Sequence, residues 1–139
     1  MESSAKQVLL IPCSGIGKVH GLIAREGVYR ALEQAPEGKA ATMCLALLVV
    51  GDDEARQLVG KYPVITVDGC PKLCACKNAE LAGGRIARSV RVLDVLKEYK
   101  GLQPGTATAL SADGWKVVDA LSSELLAEVR VLTAPGEVA

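Results

Sequence analysis

The chain has 139 residues and a mass of 14.5 kDa, which predicts a single domain over residues 1–139. Half of the residues are hydrophobic, and 16 basic side chains balance 16 acidic ones, so we expect a globular fold and not a disordered chain. A neutral chain with no Phe, one Trp and three Tyr lacks the basic surface and the aromatic platforms of a nucleic-acid binder, so no nucleic-acid partner is expected.

Hydropathy and cysteine content together predict a cytoplasmic protein. No apolar run approaches the roughly 20 residues of a membrane span, and the first run is too short for a signal peptide, so no membrane partner is expected. An odd number of cysteines, five, argues against a disulfide framework. It favours metal binding, redox chemistry or buried thiols.

The first half of the chain alternates between predicted strands and helices. Residues 7–12, QVLLIP, are typical of a strand buried on both faces, and residues 18–33 place apolar side chains at helical spacing. Residues 41–50, ATMCLALLVV, are ambiguous between a strand and a buried helix, because periodicity cannot separate the two in a short apolar run. The acidic start of DDEARQLV, residues 52–59, indicates a helix, and PVITV, residues 63–67, is a second buried strand.

The second half continues this alternation. Its predicted elements are a helix over residues 71–82 with Pro71 first, a strand near residues 90–93, a loop over 103–114, an amphipathic helix over 115–130 and a frayed tail over 134–139. The pattern predicts a small three-layer α/β fold. We expect a mostly parallel sheet with helices on both faces and cysteines at the C-terminal ends of its strands.

Three cysteines have a local sequence that predicts a site. Cys13 and Cys70 each follow a predicted strand and precede a helix, which places both at the edge where such folds bind ligands. With Pro71 as the first helical residue, Cys70 is predicted to be the helix N-cap, where the helix dipole favours the thiolate. Cys74 follows four residues later on the same predicted helix face, within the spacing usual for a pair of zinc ligands.

The other two cysteines are harder to interpret. Cys44 lies in an apolar run, where a cysteine is more often a small buried hydrophobe, although it reaches the same sheet edge if a strand ends near it. In that case four sulfurs would suit tetrahedral zinc. Cys76 lies about 200° around the helix from Cys74 and is expected to point away.

The turns next to the cysteines contain possible supporting residues. Ser14 and Gly15 belong to CSGIGKVHG, a strand-to-helix turn that is equally consistent with anion binding and with a tight turn that needs glycine. It departs from Walker A, dinucleotide and Cys-x5-Arg phosphatase loops. Asp68 and Gly69 precede the third cysteine, and we expect Asp68 to cap a turn or, alternatively, to orient a ligand.

His20 is the only histidine, so any catalytic centre that needs an imidazole would have to use it. It lies seven residues after Cys13, about two helical turns along the chain. We therefore predict a surface or partly buried helix residue that lies too far along to meet the strand ends.

Four motifs together resemble the DGC-domain family, whose members are described as zinc-binding proteins: PCSGIG (12–17), CLALL (44–48), VDGCPKLCACK (67–77) and AELAG (79–83). The resemblance covers about residues 5–104. It implies four cysteine ligands for Zn²⁺, and it makes Cys44 an expected ligand. The implied set is Cys13, Cys44, Cys70 and Cys74. Cys76 stands where the family more often has Lys or Arg, which leaves it as a free thiol or a redox partner.

Two main functions are consistent with these residues. The first is one Cys-ligated zinc at the strand ends, structural or metal-handling, with no reaction specified. The alternative is a metal-free thiol redox or sulfur-transfer protein that uses Cys70 with Cys74 or Cys76. Three sulfurs would leave zinc an open position for catalysis, but no base is plainly placed, so enzymatic activity stays open. An anion-binding module and an iron–sulfur protein are further alternatives.

Overall fold

A computed structural model describes residues 7–13, 15, 17–69 and 71–134, which form four strands and six α-helices. The strands are β1 (Val8–Pro12), β2 (Ala40–Thr42), β3 (Val64–Asp68) and β4 (Ile86–Arg91). The helices are α1 (Val19–Gln34), α2 (Leu45–Val49), α3 (Asp53–Lys61), α4 (Cys74–Leu81), α5 (Val92–Leu96) and α6 (Ala112–Leu132).

The four strands form one parallel sheet in the order β2-β1-β3-β4. After β1 the chain moves to β2 on one side, and after β2 it crosses to β3 on the other side of β1. The direction of winding therefore reverses between β1 and β3. Ligands of open parallel sheets bind at the carboxyl ends of the strands at this reversal. The predicted α/β fold with a parallel sheet is confirmed.

Helices cover both faces of the sheet. α1 contacts β1 and packs along α6, whereas α4 lies on β3 and contacts α2. Right-handed crossovers that leave the middle of a sheet in opposite directions place their helices on opposite faces. The central strands are buried on both faces, and the core they form is aliphatic, as the composition predicts.

The close approach of α1 and α6 depends on a glycine. A Cβ atom at Gly27 would lie 2.8 Å from Cγ of Leu121, which is fully buried. The same two helices are joined by an ion pair between Arg30 and Asp119 and by the Arg30 guanidinium, which lies 4.7 Å from the ring centre of Trp115.

Several predicted boundaries change in the structure. The ambiguous residues 41–50 divide into the end of β2 and the short helix α2. The strand expected near residues 90–93 is wrong in its bounds, because β4 pairs with β3 from Ile86 to Arg91 and Val92 begins α5. The last helix begins at Ala112 and not at residue 115, because Ser111 caps it by accepting a hydrogen bond from the Gly114 N–H. Most of the predicted tail, 135–139, lies outside the described residues.

No helix within the described part of the chain has the length and apolar composition to cross a bilayer.

Candidate metal centre at the carboxyl edge of the sheet

Three neighbouring strands lead directly to cysteines. Cys13 follows β1, and Cys44 lies two residues after the end of β2, where it is the N-cap residue of α2. β3 is followed by Gly69 and then, in the sequence, by Cys70, which lies outside the described residues, as does Ser14. Because β2, β1 and β3 are adjacent and parallel, these positions belong to one edge of the sheet.

Cys13 is buried at the point where the winding reverses. Its Sγ accepts a hydrogen bond of 3.2 Å from the Gly69 N–H, and its own N–H donates to the carbonyl of Val67 at 2.9 Å. The sulfur is therefore held between the ends of β1 and β3. Hydrogen bonds from the backbone to a sulfur are a common means of orienting a metal ligand.

The backbone around Cys13 is packed too tightly for side chains. A Cβ atom at Gly69 would lie 2.8 Å from the carbonyl carbon of His20 and 2.9 Å from the nitrogen of Gly21. Gly15, with φ of 30°, lies against the backbone of Gly21. The first turn of α1 thus rests directly on the end of β3. Gly15 and Gly69, two of the expected supporting residues, are needed for this contact.

The predicted start of the fourth helix is wrong. Pro71 is not its first residue and Cys70 is not its N-cap, because α4 begins at Cys74 after Leu73, which has a left-handed backbone conformation (φ 56°, ψ 47°). The prediction that Cys70 and Cys74 lie one turn apart on the same helix is therefore also wrong. The sequence signal was misleading because proline also suits the turn that precedes the helix, the conformation observed at Pro71.

Asp68 caps α4. Its Oδ1 accepts a hydrogen bond from the Ala75 N–H at 2.7 Å, and its Oδ2 accepts one from the Cys76 N–H at 3.2 Å. Burial raises the pKa of the Asp68 carboxyl above its ordinary value, and the two N–H hydrogen bonds oppose that shift. The expected capping role of Asp68 is confirmed. It ties the helix that carries Cys74 to the end of β3.

The two cysteines of α4 have different environments. Cys74 is exposed and lines a cleft of about 700 Å³ at this edge, together with Cys13. Cys76 is half-buried and is not among the described residues that line the cleft. Two positions along a helix are about 200° apart, so the two thiols lie on nearly opposite sides of α4.

Cys44 lies outside the cleft. It is exposed, and its side chain makes no capping hydrogen bond to α2. The residues that follow it, Leu45 and Val49, form an apolar part of the cleft wall.

His20 lines the same cleft, which the sequence analysis did not anticipate. The prediction of a partly buried helix residue is confirmed, but the expected distance from the strand ends is wrong. α1 begins only at Val19, and the glycine contacts bring its first turn onto β3. Burial lowers the pKa of His20, and the charge of Lys18 adds to the effect, so both favour the neutral imidazole.

The donor set of the cleft suits a thiophilic metal. Its described lining offers two thiols, one imidazole and the Asn78 amide, and no carboxylate. Within the described residues, no three His, Cys, Asp or Glu side chains are arranged closely enough to hold a metal ion, and Cys70 is not part of that set. The described arrangement therefore brings Cys13 and Cys74 to one cleft and leaves Cys44 and Cys76 apart from it.

Comparison with known proteins identifies the family. No curated protein and no solved structure matches the chain. The family model of the DGC domain matches residues 9–112, which include all five cysteines and end at the first residue of α6. The match covers well over half of the 139 residues, and the chain therefore belongs to the DGC domain family.

Proposed function

We propose that this protein binds one zinc ion through Cys13, Cys44, Cys70 and Cys74 at the carboxyl edge of its sheet, as a structural or metal-handling site. One observation carries the proposal: cysteines follow each of three adjacent parallel strands, β2, β1 and β3. Four thiolates complete the tetrahedral coordination that zinc prefers in structural sites.

The proposed zinc ligands differ in burial and in hydrogen bonding. Cys13 is the fixed ligand, because its sulfur is buried and bonded to the Gly69 N–H. Cys44 and Cys74 have exposed thiols at the start of two helices that contact each other, α2 and α4. Their side chains would turn inward on binding.

Charge balance also supports the proposal. Four thiolates around Zn²⁺ leave a net charge of about −2, which needs N–H donors or cations nearby. The Gly69 N–H, which donates to Cys13 Sγ, supplies one such donor. A zinc ion with four protein ligands would stabilise the fold. It could act as a Lewis acid only if water or a substrate replaced one of the four sulfurs.

Metal analysis of single variants tests the proposed ligand set. We expect about one zinc per chain after purification without added metal or chelator, and about one rapidly reacting thiol in the native state, rising to five after unfolding in chelator. Each of Cys13→Ser, Cys44→Ser, Cys70→Ser and Cys74→Ser is expected to lose zinc. Cys76→Ser is the matched control and is expected to keep it.

The outcomes separate the possible sites. Protein without metal whose thiols react rapidly would contradict the zinc proposal. If Cys44→Ser were the one variant of the four proposed ligands that retained zinc, the site would have three sulfurs and an open position, the arrangement of a catalytic zinc. If Cys76→Ser lost zinc, the proposed ligand set would be wrong.

The exposure of Cys74 at the first residue of α4 favours a second candidate, a metal-free thiol redox protein. Cys76 cannot serve as the partner without unwinding α4, because the two side chains point in different directions. Cys70 would therefore form the disulfide, with Cys74 or with Cys76, by exchange with the disulfide of a second protein, which is reduced. Peptide mapping of oxidised protein for a disulfide between Cys70 and either cysteine of α4 tests this candidate.

We also propose a cytoplasmic location, since reduced thiols and thiolate-bound metal persist in a reducing compartment.

A further inference from the structure

The cleft carries positive charge that has no acidic partner in the described structure. Lys18 lies on the turn before α1, and Lys72 lies on the loop before α4. Neither takes part in any of the ion pairs formed among the described residues, and no described Asp or Glu lines the cleft. Another pocket, between β4, α5 and α6, differs because its arginines, Arg88 and Arg91, are paired with carboxylates.

The cleft also has an apolar wall. Leu45 and Val49 of α2 and Pro71 of the loop before α4 line it. Val49 is 60% exposed and Val50 is 75% exposed, so the apolar surface continues onto the rim. An apolar wall beside a few charged groups is the usual composition of a small-molecule site, and a volume of about 700 Å³ lies within the range of such sites.

We infer that this cleft binds a small organic acid, with its carboxylate between Lys18 and Lys72 and its apolar body against Leu45, Val49 and Pro71. A cation would find no described acidic group there, and an inorganic anion would leave the apolar wall in contact with water. The inference goes beyond the proposed zinc site and does not rest on it. The lysines and the apolar wall do not depend on metal.

Titration with three matched probes tests the inference. Benzoate, benzyl alcohol and benzylamine share one apolar ring and differ in charge. Each is added to the full chain as purified, while backbone amide signals are followed by NMR and zinc content is measured on the same sample. We expect benzoate to shift the signals of Gly21 and Gly69, and the other two probes to bind at least about tenfold more weakly because both lysines attract only the anion.

Charge variants locate the binding. Lys18→Gln and Lys72→Gln are each expected to weaken benzoate binding about three- to fivefold, the effect of one partly solvated charge pair. Lys116→Gln, which removes an exposed lysine of α6, is the matched control and is expected to have no effect. Val49→Asp introduces a negative charge at the rim and is expected to abolish benzoate binding, whereas Val131→Asp, at a residue 70% exposed on α6, is not.

The benzoate titration and the zinc analysis are interpreted independently of each other. Equal binding of benzoate and benzyl alcohol, or equal effects of Lys72→Gln and Lys116→Gln, would overturn the inference even if the protein holds one zinc. Lysine-dependent binding of benzoate to protein that contains no zinc would support the inference and contradict the metal proposal.

Discussion

At the residue scale, Asp68 connects the end of β3 to the first turn of α4. Asp68 is 1% exposed, and its carboxylate accepts hydrogen bonds from the Ala75 and Cys76 N–H groups. The first N–H groups of a helix have no partners within the helix, so a buried acceptor at this point stabilises it. Because Cys74 is the first residue of α4, the same contact positions a proposed zinc ligand.

Asp68→Ala is expected to lower the free energy of unfolding by about 1–3 kcal/mol, since it leaves buried N–H groups without an acceptor. It is also expected to weaken zinc binding about tenfold through the loss of support for Cys74. Urea unfolding and a zinc competition titration measure the two effects.

Asp52→Ala is the matched control. Asp52 caps α3 by accepting a hydrogen bond from the Ala55 N–H at 2.9 Å, and α3 carries no proposed ligand. Its loss is expected to cost about 1 kcal/mol of stability and to leave zinc affinity unchanged. An equal loss of zinc affinity in both variants would show that Asp68 acts only through overall stability.

Gly69 has no space for a side chain, and its N–H bonds to Cys13 Sγ. Gly69→Ala places a methyl group against the backbone of His20 and Gly21, and it is expected to lower the free energy of unfolding by about 1–3 kcal/mol. The backbone must shift to admit the methyl group, which moves the N–H of residue 69 away from the sulfur. Cys13 is therefore also expected to react more rapidly with a thiol reagent in metal-free protein. Unchanged stability and labelling would contradict the tight contact between α1 and β3.

At the element scale, two glycine-to-alanine substitutions are expected to change the free energy of unfolding in opposite directions. Only one of them lies where α1 packs against α6. Alanine is a better helix former than glycine by about 1 kcal/mol, but at Gly27 the new methyl group meets buried Leu121. Because overpacking costs about 1–3 kcal/mol, Gly27→Ala is expected to destabilise the protein by roughly 1 kcal/mol.

Gly60→Ala provides the contrast in the same assay. A Cβ atom at this exposed position of α3 would meet nothing within 4 Å in the described structure. The substitution is expected to stabilise the protein by about 0.5–1 kcal/mol through helix propensity and reduced freedom of the unfolded chain. Stabilisation by both substitutions in urea unfolding would show that α1 and α6 pack less closely than described.

At the scale of the whole molecule, the aliphatic core and the proposed metal site are largely separate. Of the described cysteines only Cys13 belongs to the core, whereas Cys44 and Cys74 lie on exposed starts of helices. Zinc would therefore join the segments that follow β2, β1 and β3. Metal that binds only the native state stabilises it by about 4 kcal/mol at a thousandfold excess over its dissociation constant.

Removal of zinc by a chelator is consequently expected to lower the melting temperature and to increase hydrogen exchange in α2 and the first turn of α4. The sheet and the α1–α6 pair are expected to keep their protection, because their burial does not involve the site. Uniform loss of protection across the chain would indicate that the metal is required for folding itself. Unchanged exchange in α2 would exclude Cys44 as a ligand.

The predictable parts of the fold are those whose pattern is local. β1 and β3 are short runs of apolar residues buried on both faces, and the helical spacing of residues 18–33 corresponds to α1 within one residue. β4 was misplaced because its side chains alternate in exposure and its bounds are set by pairing with β3. That pairing involves residues about twenty positions away, which no local window contains.

The candidate site is likewise predictable from sequence only in part. The order of elements and the positions of Cys13 and Cys70 after apolar runs follow from sequence, and with them the expectation of one sulfur-rich edge. The start of α4 does not, because Asp68 provides the cap from outside the helix. His20 joins the cleft only through contacts among glycines of two segments.

By itself, the sequence determined the class of fold and the family, because hydrophobic pattern and motif are properties of neighbouring residues. It also predicted which cysteines would hold a metal. The tertiary structure decided which groups share the cleft: Cys13, Cys74, Lys18, His20 and Lys72 meet there. Their proximity depends on the parallel pairing of β1 with β3 and on the space left by the missing side chain of Gly69. Both are contacts between distant parts of the chain.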